Sequence, residues 1–367
     1  MKIESIRETL GEALLKAEKI SGKNVTLPVL SGLYLSAHKN TLSIKATNLD
    51  LGISINLPVK VLEPGNIVVP AHTLSTLISS LIQERSVMFN TKEQILEVRT
   101  LKTKTNIKTL PSEDFPLIPE VGDEGEFSLP ARDLIFGIKS VIYASAVRSV
   151  KPELSSISIT ADGDHLTFAA TDSFRLAEKK IRIKKPLYFK QILIPQKNAI
   201  ELIRIFEQND EEIKITIEEH QAAFRSSNIY LTSRVIDGIF PDYKQIIPKK
   251  ITSSATVLKQ DLIASLKTSI IFLDTFNQLT LKLMPKAKHF EIESKNSTAG
   301  ENINSIEAAL TGEDLSININ HRFLSDCFQS VTTDGLSLEF SGQAKPVVVK
   351  GVGDTSFLYL VMPMNRS

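Results

Sequence analysis

The chain has 367 residues, 42% of them hydrophobic, which allows two or three domains with large buried cores and excludes general disorder. Lys and Arg number 43 against 42 Asp and Glu, so bulk positive charge cannot hold nucleic acid, although a local basic surface stays open. A single cysteine, Cys327, excludes an intramolecular disulfide; with a charged N-terminus and no apolar run near ~20 residues, the chain reads as a soluble cytoplasmic protein without a membrane partner.

In chain order, periodicity predicts a helix over about 4–20, with the apolar stripe Ile6, Leu10, Leu14 and Ala17. Alternating strands follow, among them Leu42-Ser43-Ile44. Val69-Pro70-Ala71-His72 then opens a helix over about 71–83, with the proline read into the first helical turn, where its missing N–H is not needed. Strands resume towards Phe115-Pro116 and the turn-rich stretch 119–125. The same order returns with a helix over about 130–144, strands, and a helix over about 196–207 opened by Ile194-Pro195-Gln196-Lys197. The strand Ile213–Ile217 and Phe240-Pro241 follow. A third round has helices over about 258–268 and 321–330, the latter beginning at Asn320–Leu324, then the strand Val347–Val349 and Met362-Pro363.

Three landmarks share one offset. Segment 42–51 (LSIKATNLDL) and segment 166–176 (LTFAATDSFRL) place Thr47 and Thr171 124 residues apart (171 less 47). Pro70 and Pro195, like Phe115 and Phe240, stand 125 apart. A repeat of this length predicts three domains, 1–122, 123–250 and 251–367, each α+β with two helices packed on antiparallel sheet.

Catalytic signatures are missing. There is no phosphate-binding G-x-x-x-x-G-K-[ST] loop and no G-x-S-x-G elbow. Gly351-Val352-Gly353 reads as a turn, and Asp162-Gly163-Asp164 as a hairpin turn because the other calcium ligands are lacking. Six scattered histidines make no zinc spacing. Cys327 reads as a small core residue, and Thr171-Asp172 has no identifiable base. We therefore expect no catalytic residue, metal or cofactor. A non-DNA adaptor and, further off, an enzyme with an unrecognised site remain the competing readings.

The basic residues are more ordered. Lys16, Lys19 and Lys23 fall at i, i+3 and i+7; Arg132 and Lys139, and Lys197 and Arg204, repeat the i, i+7 spacing; Lys259 and Lys267 are i, i+8. Acids gather elsewhere, at 123–126, 211–212 and 218–219. On one helix this is an ordinary solvated face. Four helices with one habit suggest a basic surface on a neutral molecule, which suffices for phosphate attraction.

Several strings carry a family resemblance: Thr26-Leu27-Pro28-Val29-Leu30, Ala170-Thr171-Asp172-Ser173-Phe174-Arg175-Leu176-Ala177, Asp237-Gly238-Ile239-Phe240-Pro241-Asp242-Tyr243 through Pro248, and the terminal Val361-Met362-Pro363-Met364. Over its whole length the chain resembles the bacterial sliding clamps, the beta subunits of DNA polymerase III. The resemblance implies two subunits of three domains each, closed head to tail into a six-domain ring as a homodimer, with helices lining the hole. It implies a processivity factor that encircles double-stranded DNA without sequence preference. Polymerase subunits, a clamp loader and repair proteins would dock through Leu/Phe-containing linear motifs.

By position, the family's partner pocket maps to Leu154, Thr171, Ser173, Phe174, Arg175, Leu176, Pro241, Ile246, Leu360, Val361, Met362, Pro363 and Met364, an apolar cleft with Arg175 expected at its rim. DNA-contact loops map to Asn24, beside Lys23, and to Arg148. With Lys16, Lys19, Arg132, Lys139, Lys197, Arg204, Lys259, Lys267 and Arg322, these form the expected DNA-facing set. Dimer edges map to Thr103, Asn106 and Lys108 in the first domain, and to Ile270, Ile271 and Phe272 with Glu301 and Ile303 in the third. The chain departs from the family pattern at Ser173-Phe174, where Gly-His is usual, at Gln245, where a basic residue is common, and at Asn365-Arg366-Ser367 after Met364. Pro152 and Glu153 stand where tyrosines are frequent. The first three departures surround one site and point to a shifted peptide preference there.

Overall fold

Alternation of apolar and polar residues sets the architecture. Along Thr41–Thr47, Leu42, Ile44 and Ala46 are fully buried while Thr41, Ser43 and Lys45 between them keep contact with solvent, the pattern of a strand with one face on a core. The computed structural model describes residues 1–22 and 27–364.

The first third of the chain contains β1 (Lys2–Ile6), α1 (Arg7–Ile20), β2 (Gly32–His38), β3 (Thr41–Thr47), β4 (Leu51–Pro58), β5 (Lys60–Glu63), β6 (Gly65–Pro70), α2 (Ala71–Ser80), β7 (Ser86–Lys92), β8 (Ile95–Arg99) and β9 (Lys104–Lys108). The middle contains β10 (Phe127–Pro130), α3 (Ala131–Lys139), β11 (Ser156–Thr171), β12 (Arg175–Pro195), α4 (Gln196–Phe206), β13 (Glu212–Ile217), β14 (Gln221–Arg225) and β15 (Ile229–Arg234). The last third contains β16 (Ser253–Leu258), α5 (Lys259–Ser269), β17 (Gln278–Met284), β18 (His289–Asn296), β19 (Gly300–Ile306), β20 (Ala308–Gly312), β21 (Leu315–Asn320), α6 (His321–Asp326), β22 (Gly335–Phe340), β23 (Val347–Gly351) and β24 (Phe357–Val361). Each third opens on a strand leading into a helix and places a second helix after further strands.

The chain packs as two units, Met1–Ile135 with Lys197–Val235, and Phe136–Gln196 with Ile236–Ser367. The first holds a five-stranded sheet, β5-β1-β7-β8-β9, and an eight-stranded sheet, β10-β13-β14-β15-β4-β3-β2-β6. The second holds a seven-stranded sheet, β11-β12-β24-β23-β22-β16-β20, and a four-stranded sheet, β19-β18-β17-β21. In the eight-stranded sheet β15 pairs with β4, Leu231 opposite Ile53. In the seven-stranded sheet β12 pairs with β24, Leu176 opposite Leu360. Both large sheets thus join strands distant in sequence, and among the described residues every paired ladder is antiparallel.

Small residues let the helices pack closely. In the first unit Ser75 of α2 donates its hydroxyl to Leu14 O of α1 at 3.3 Å. In the second, a Cβ on Gly137 of α3 would lie 2.5 Å from the Phe168 ring of β11, so only glycine permits this approach.

The structure corrects several boundaries. Residues 4–6 belong to β1, not α1, because Ile3 and Ser5 are buried in the five-stranded sheet. Pro70 and Pro195 are the last strand residues rather than first-turn residues, and the helices start immediately after them. α2 stops at Ser80; α3 stops at Lys139, and Ile142–Ala144 form a separate 3-10 turn. α6 ends at Asp326 and tightens into a 3-10 turn, Cys327–Ser330. Asp162-Gly163-Asp164 is not a hairpin turn: β11 runs through it with a register shift, Gly163 adopting φ +70° opposite Leu187. The hairpin reverses instead at Asp172–Phe174. Ile270–Phe272 is a 3-10 turn after α5, not an edge strand. Among the described residues no helix is long and apolar enough to cross a membrane, and no three His, Cys, Asp or Glu gather as a metal site.

Candidate functional site

The site grows from the turn between β11 and β12. Thr171 donates its hydroxyl to Arg175 O at 2.7 Å and accepts from Ser173 N–H at 3.1 Å. The Asp172 carboxylate accepts from the N–H groups of Phe174 and Arg175, each at 2.9 Å. These bonds fix an Asx turn and hold Ser173 at φ +76°. Phe174 is displayed at its outside, 62% exposed.

Arg175 is fixed by two carboxylates. Its Nε lies 2.9 Å from Asp172 Oδ2 and its Nη1 2.5 Å from Asp326 Oδ2 of α6. Its guanidinium also lies 4.6 Å from the centroid of the Phe323 ring. Burial works against this charge, but the Tyr359 hydroxyl and the two carboxylates outweigh it and hold the guanidinium above its ordinary value. Phe174 stacks on the other partner of the group, Phe323, with centroids 6.3 Å apart. The chain end closes the arrangement: Met362 N–H donates to Phe174 O and Met364 N–H to Asn318 O, each at 2.8 Å.

Two hollows result. One, about 200 Å³, has Leu176 and Leu360 as a buried apolar floor, with Pro241, Tyr243, Ile246 and Met362 around it. The other, about 370 Å³, is lined by Phe174, Asn320, Phe323, Met362, Pro363 and Met364. Met362 lines both, so the hollows adjoin. Tyr243 donates its hydroxyl to Glu178 Oε2 at 2.5 Å; burial and that carboxylate raise its pKa far above the ordinary value, so it stays a donor. The pair of hollows offers apolar contact and few polar partners, a surface for binding rather than for proton transfer.

Residues 1–119, 128–242 and 244–365 match, in turn, the N-terminal, central and C-terminal domains of the DNA polymerase III beta subunit. The chain belongs to that family. Among curated relatives, the beta sliding clamp of Synechococcus elongatus is 26% identical over 371 residues, covering 99% of both chains. That of Escherichia coli K12 is 25% identical over 369 residues, covering 99% of this chain and 100% of the relative. Among solved structures, a sliding clamp of Pseudomonas aeruginosa bound to griselimycin superposes with a TM-score of 0.95 at 26% identity, and both chains are covered in full. The clamp of Bacillus subtilis gives the same TM-score at 24% identity over the full length of both chains, which supports the fold.

Against this family, the structure sorts the expected residues. Thr171, Ser173, Arg175, Leu176, Pro241, Ile246, Leu360 and Met362 line the first hollow; Phe174, Pro363 and Met364 join Met362 at the second. Leu154 and Val361 line neither: Leu154 sits in the 3-10 turn Pro152–Ser155, and Val361 is fully buried opposite Arg175 in the sheet. Arg175 is not at the rim. Its side chain is only 10% exposed, because its ion pairs draw it into the wall. Sequence reasoning missed Tyr243, Asn320, Phe323 and Asp326. Phe323 and Asp326 share one face of α6 at i, i+3, a spacing that marks them as a pair once Arg175 is placed nearby.

Of the basic set in the first unit, Lys19, Arg132, Lys197 and Arg204 are exposed, Arg204 bonding Glu201 at 2.6 Å, whereas Lys16 is half-buried. In the second unit Lys139, Arg148, Lys267 and Arg322 are exposed. Lys259 departs from the expectation, since its amine donates to Val331 O at 2.8 Å and is partly withdrawn. Lys23 and Asn24, like Asn365, Arg366 and Ser367, lie outside the described residues.

Replacing Arg175 by Ala leaves Asp172 and Asp326 facing a part-buried void. We expect about 2–4 kcal/mol lost in urea unfolding, near the lower end for buried pairs because both carboxylates keep some solvent. A loss below about 0.5 kcal/mol would mean that the pairs behave as exposed ones.

Proposed function

We propose that this chain is a sliding clamp: a non-catalytic, cytoplasmic processivity factor in which two copies close around duplex DNA and tether other proteins. Full-length membership of the polymerase III beta subunit family carries the reading. The repeat supports three clamp domains with boundaries near 122 and 250. Tethering keeps a partner at high effective concentration beside its template, so its dissociation is followed by rapid rebinding.

The ring needs a second copy. β9 and β19 are each the last strand of a sheet, with unpaired backbone groups along one side. Pairing β9 of one protomer with β19 of the other would join the five-stranded and four-stranded sheets into one comparable with the eight-stranded sheet. Lys108 on β9 and Glu301 on β19 are exposed and opposite in charge. Ile303 of β19 is 51% exposed, and the 3-10 turn beside that edge adds Ile271 at 66%, apolar surface suited to burial in such an interface. Thr103, Asn106, Ile270 and Phe272 belong to the same proposed interface.

DNA would be held by topology and by the exposed cations Lys19, Arg132, Lys139, Arg148, Lys197, Arg204, Lys267 and Arg322, with Lys16 and Lys259 contributing less. Sequence-independent phosphate contact permits sliding, whereas base readout would arrest it. The paired hollows would seat a Leu/Phe-containing segment of polymerase subunits, clamp loader and repair proteins.

Retention on circular DNA after loading, with release on linearisation, tests the central reading; equal retention on both forms would overturn it. Removing Lys197 and Arg204 together should lower the salt dependence of DNA association by about two log-log units, one for each phosphate that is no longer neutralised. Sedimentation should show a dimer at micromolar concentration and monomer for Ile271→Asp with Ile303→Asp. Leu176→Ala should weaken a Leu/Phe peptide by about 1–3 kcal/mol, measured by titration, with dimerisation unchanged.

A further inference from the structure

Beside the apolar cleft lies a larger groove of about 730 Å³, on one face of the β11–β12 hairpin and bordered by Phe240–Lys244. It shares Pro241, Asp242 and Tyr243 with the cleft, so the two adjoin. Their linings differ sharply. Alternate residues of β12, Glu178, Lys180 and Arg182, line the groove, as period-two geometry requires, and β11 adds the hydroxyls of Ser158, Thr160 and Thr167 with Asp162 and His165. Its apolar residues are Ala169, Phe240, Pro241 and Tyr243, and the rest of the lining is polar or charged.

The groove's charges are unevenly occupied. Glu178 already accepts from Tyr243 and has Lys180 Nζ 3.5 Å from its other oxygen. Asp242 accepts from Gln245 at 2.8 Å. Arg182 is 82% exposed and only loosely paired, 3.5 Å from Asp164, a carboxylate that also lies 2.6 Å from His165. Lys244 is exposed and, among the described residues, no carboxylate lies within ion-pair range of it. Asp162 is the one exposed carboxylate of the lining that is not engaged. The spare capacity is therefore mainly cationic, and Lys185 and Lys190 add exposed positive charge further along β12.

We propose that this groove holds the residues flanking the partner's apolar motif and selects an acidic flank, through Arg182 and Lys244. The inference rests on the reading of the cleft as a peptide site. Specificity is then divided between two neighbouring surfaces: apolar anchors in the cleft set the motif, and charge in the groove ranks partners that share it.

The test titrates the full-length protein with labelled synthetic peptides that share one Leu-Phe motif. One is bare, two carry a run of Glu and Asp before or after the motif, and two carry matching Gly-Ser runs. At low salt one acidic extension should tighten binding roughly threefold to tenfold, the size expected for one or two exposed charge pairs. The Gly-Ser runs should give no gain. The gain should disappear in Arg182→Gln with Lys244→Gln, while the bare peptide keeps its affinity, which also reports that the variant is folded. It should shrink at about 0.5 M salt, where exposed charges are screened. Bare peptide binding with no gain from either acidic extension overturns the groove proposal alone, as does a gain that survives the double substitution. No binding of the bare peptide overturns the cleft reading and the groove with it.

Discussion

Each third of this chain has a sheet that it cannot finish by itself. A strand edge with open N–H and C=O groups invites pairing, and a soluble protein must occupy or protect it. Here β15 is covered by β4 and β12 by β24, so the first and middle thirds share one sheet and the middle and last thirds share another. Several edges stay open, and among them are β9 and β19, each the last strand of its sheet. Pairing β9 with β19 between two copies would close both of these edges. The proposed homodimer applies to β9 and β19 the same pairing rule that builds the protomer.

The pairing also places the cleft. Because Leu176 stands opposite Leu360, the turn at the start of β12 and the end of β24 come together, although 184 residues separate them (360 less 176). The chain end continues beyond β24, bonding first to Phe174 O and then to Asn318 O, and so brings Met362 and Met364 against α6. A site assembled this way cannot be found by local spacing. Its residues come from four stretches that only the folded chain unites.

That difference explains what was legible in the sequence. The repeat was visible because each landmark is a local structure with strict chemical demands. Thr47 and Thr171 end strands with a hydroxyl that closes the turn, and Pro70 and Pro195 stop a strand where a helix begins. Helix ends were less legible: residues 4–6 fit the start of a helix by periodicity, but the neighbouring strand β7 captures them. The apolar run Ile270–Phe272 looks like a strand, yet it directly continues α5 and tightens into a 3-10 turn. The position of Arg175 was misread because its burial depends on Asp326, 151 residues away. Most of the pocket came through a family resemblance, while Phe323 and Asp326 required the packing itself.

Comparison of the two turns separates what is structural from what serves the site. Thr47 donates to Leu51 O, and Asn48 accepts from the N–H groups of Asp50 and Leu51, the same pattern that Thr171 and Asp172 make. Leu49 and Ser173 both adopt φ +76°, a conformation costing on the order of 1–2 kcal/mol for a residue with a Cβ. The strain therefore belongs to the repeated turn and cannot by itself indicate function. What differs is the residue displayed after it. In the first turn Asp50 is exposed, with Arg234 3.9 Å away. In the second the equivalent place is Phe174, stacked on Phe323 above a buried Arg175. An aromatic ring there extends the cleft wall with apolar surface that does not titrate, and two carboxylates keep the charge beneath it in place. The repeat supplies a rigid turn twice, and the residues on one copy make it the edge of the cleft.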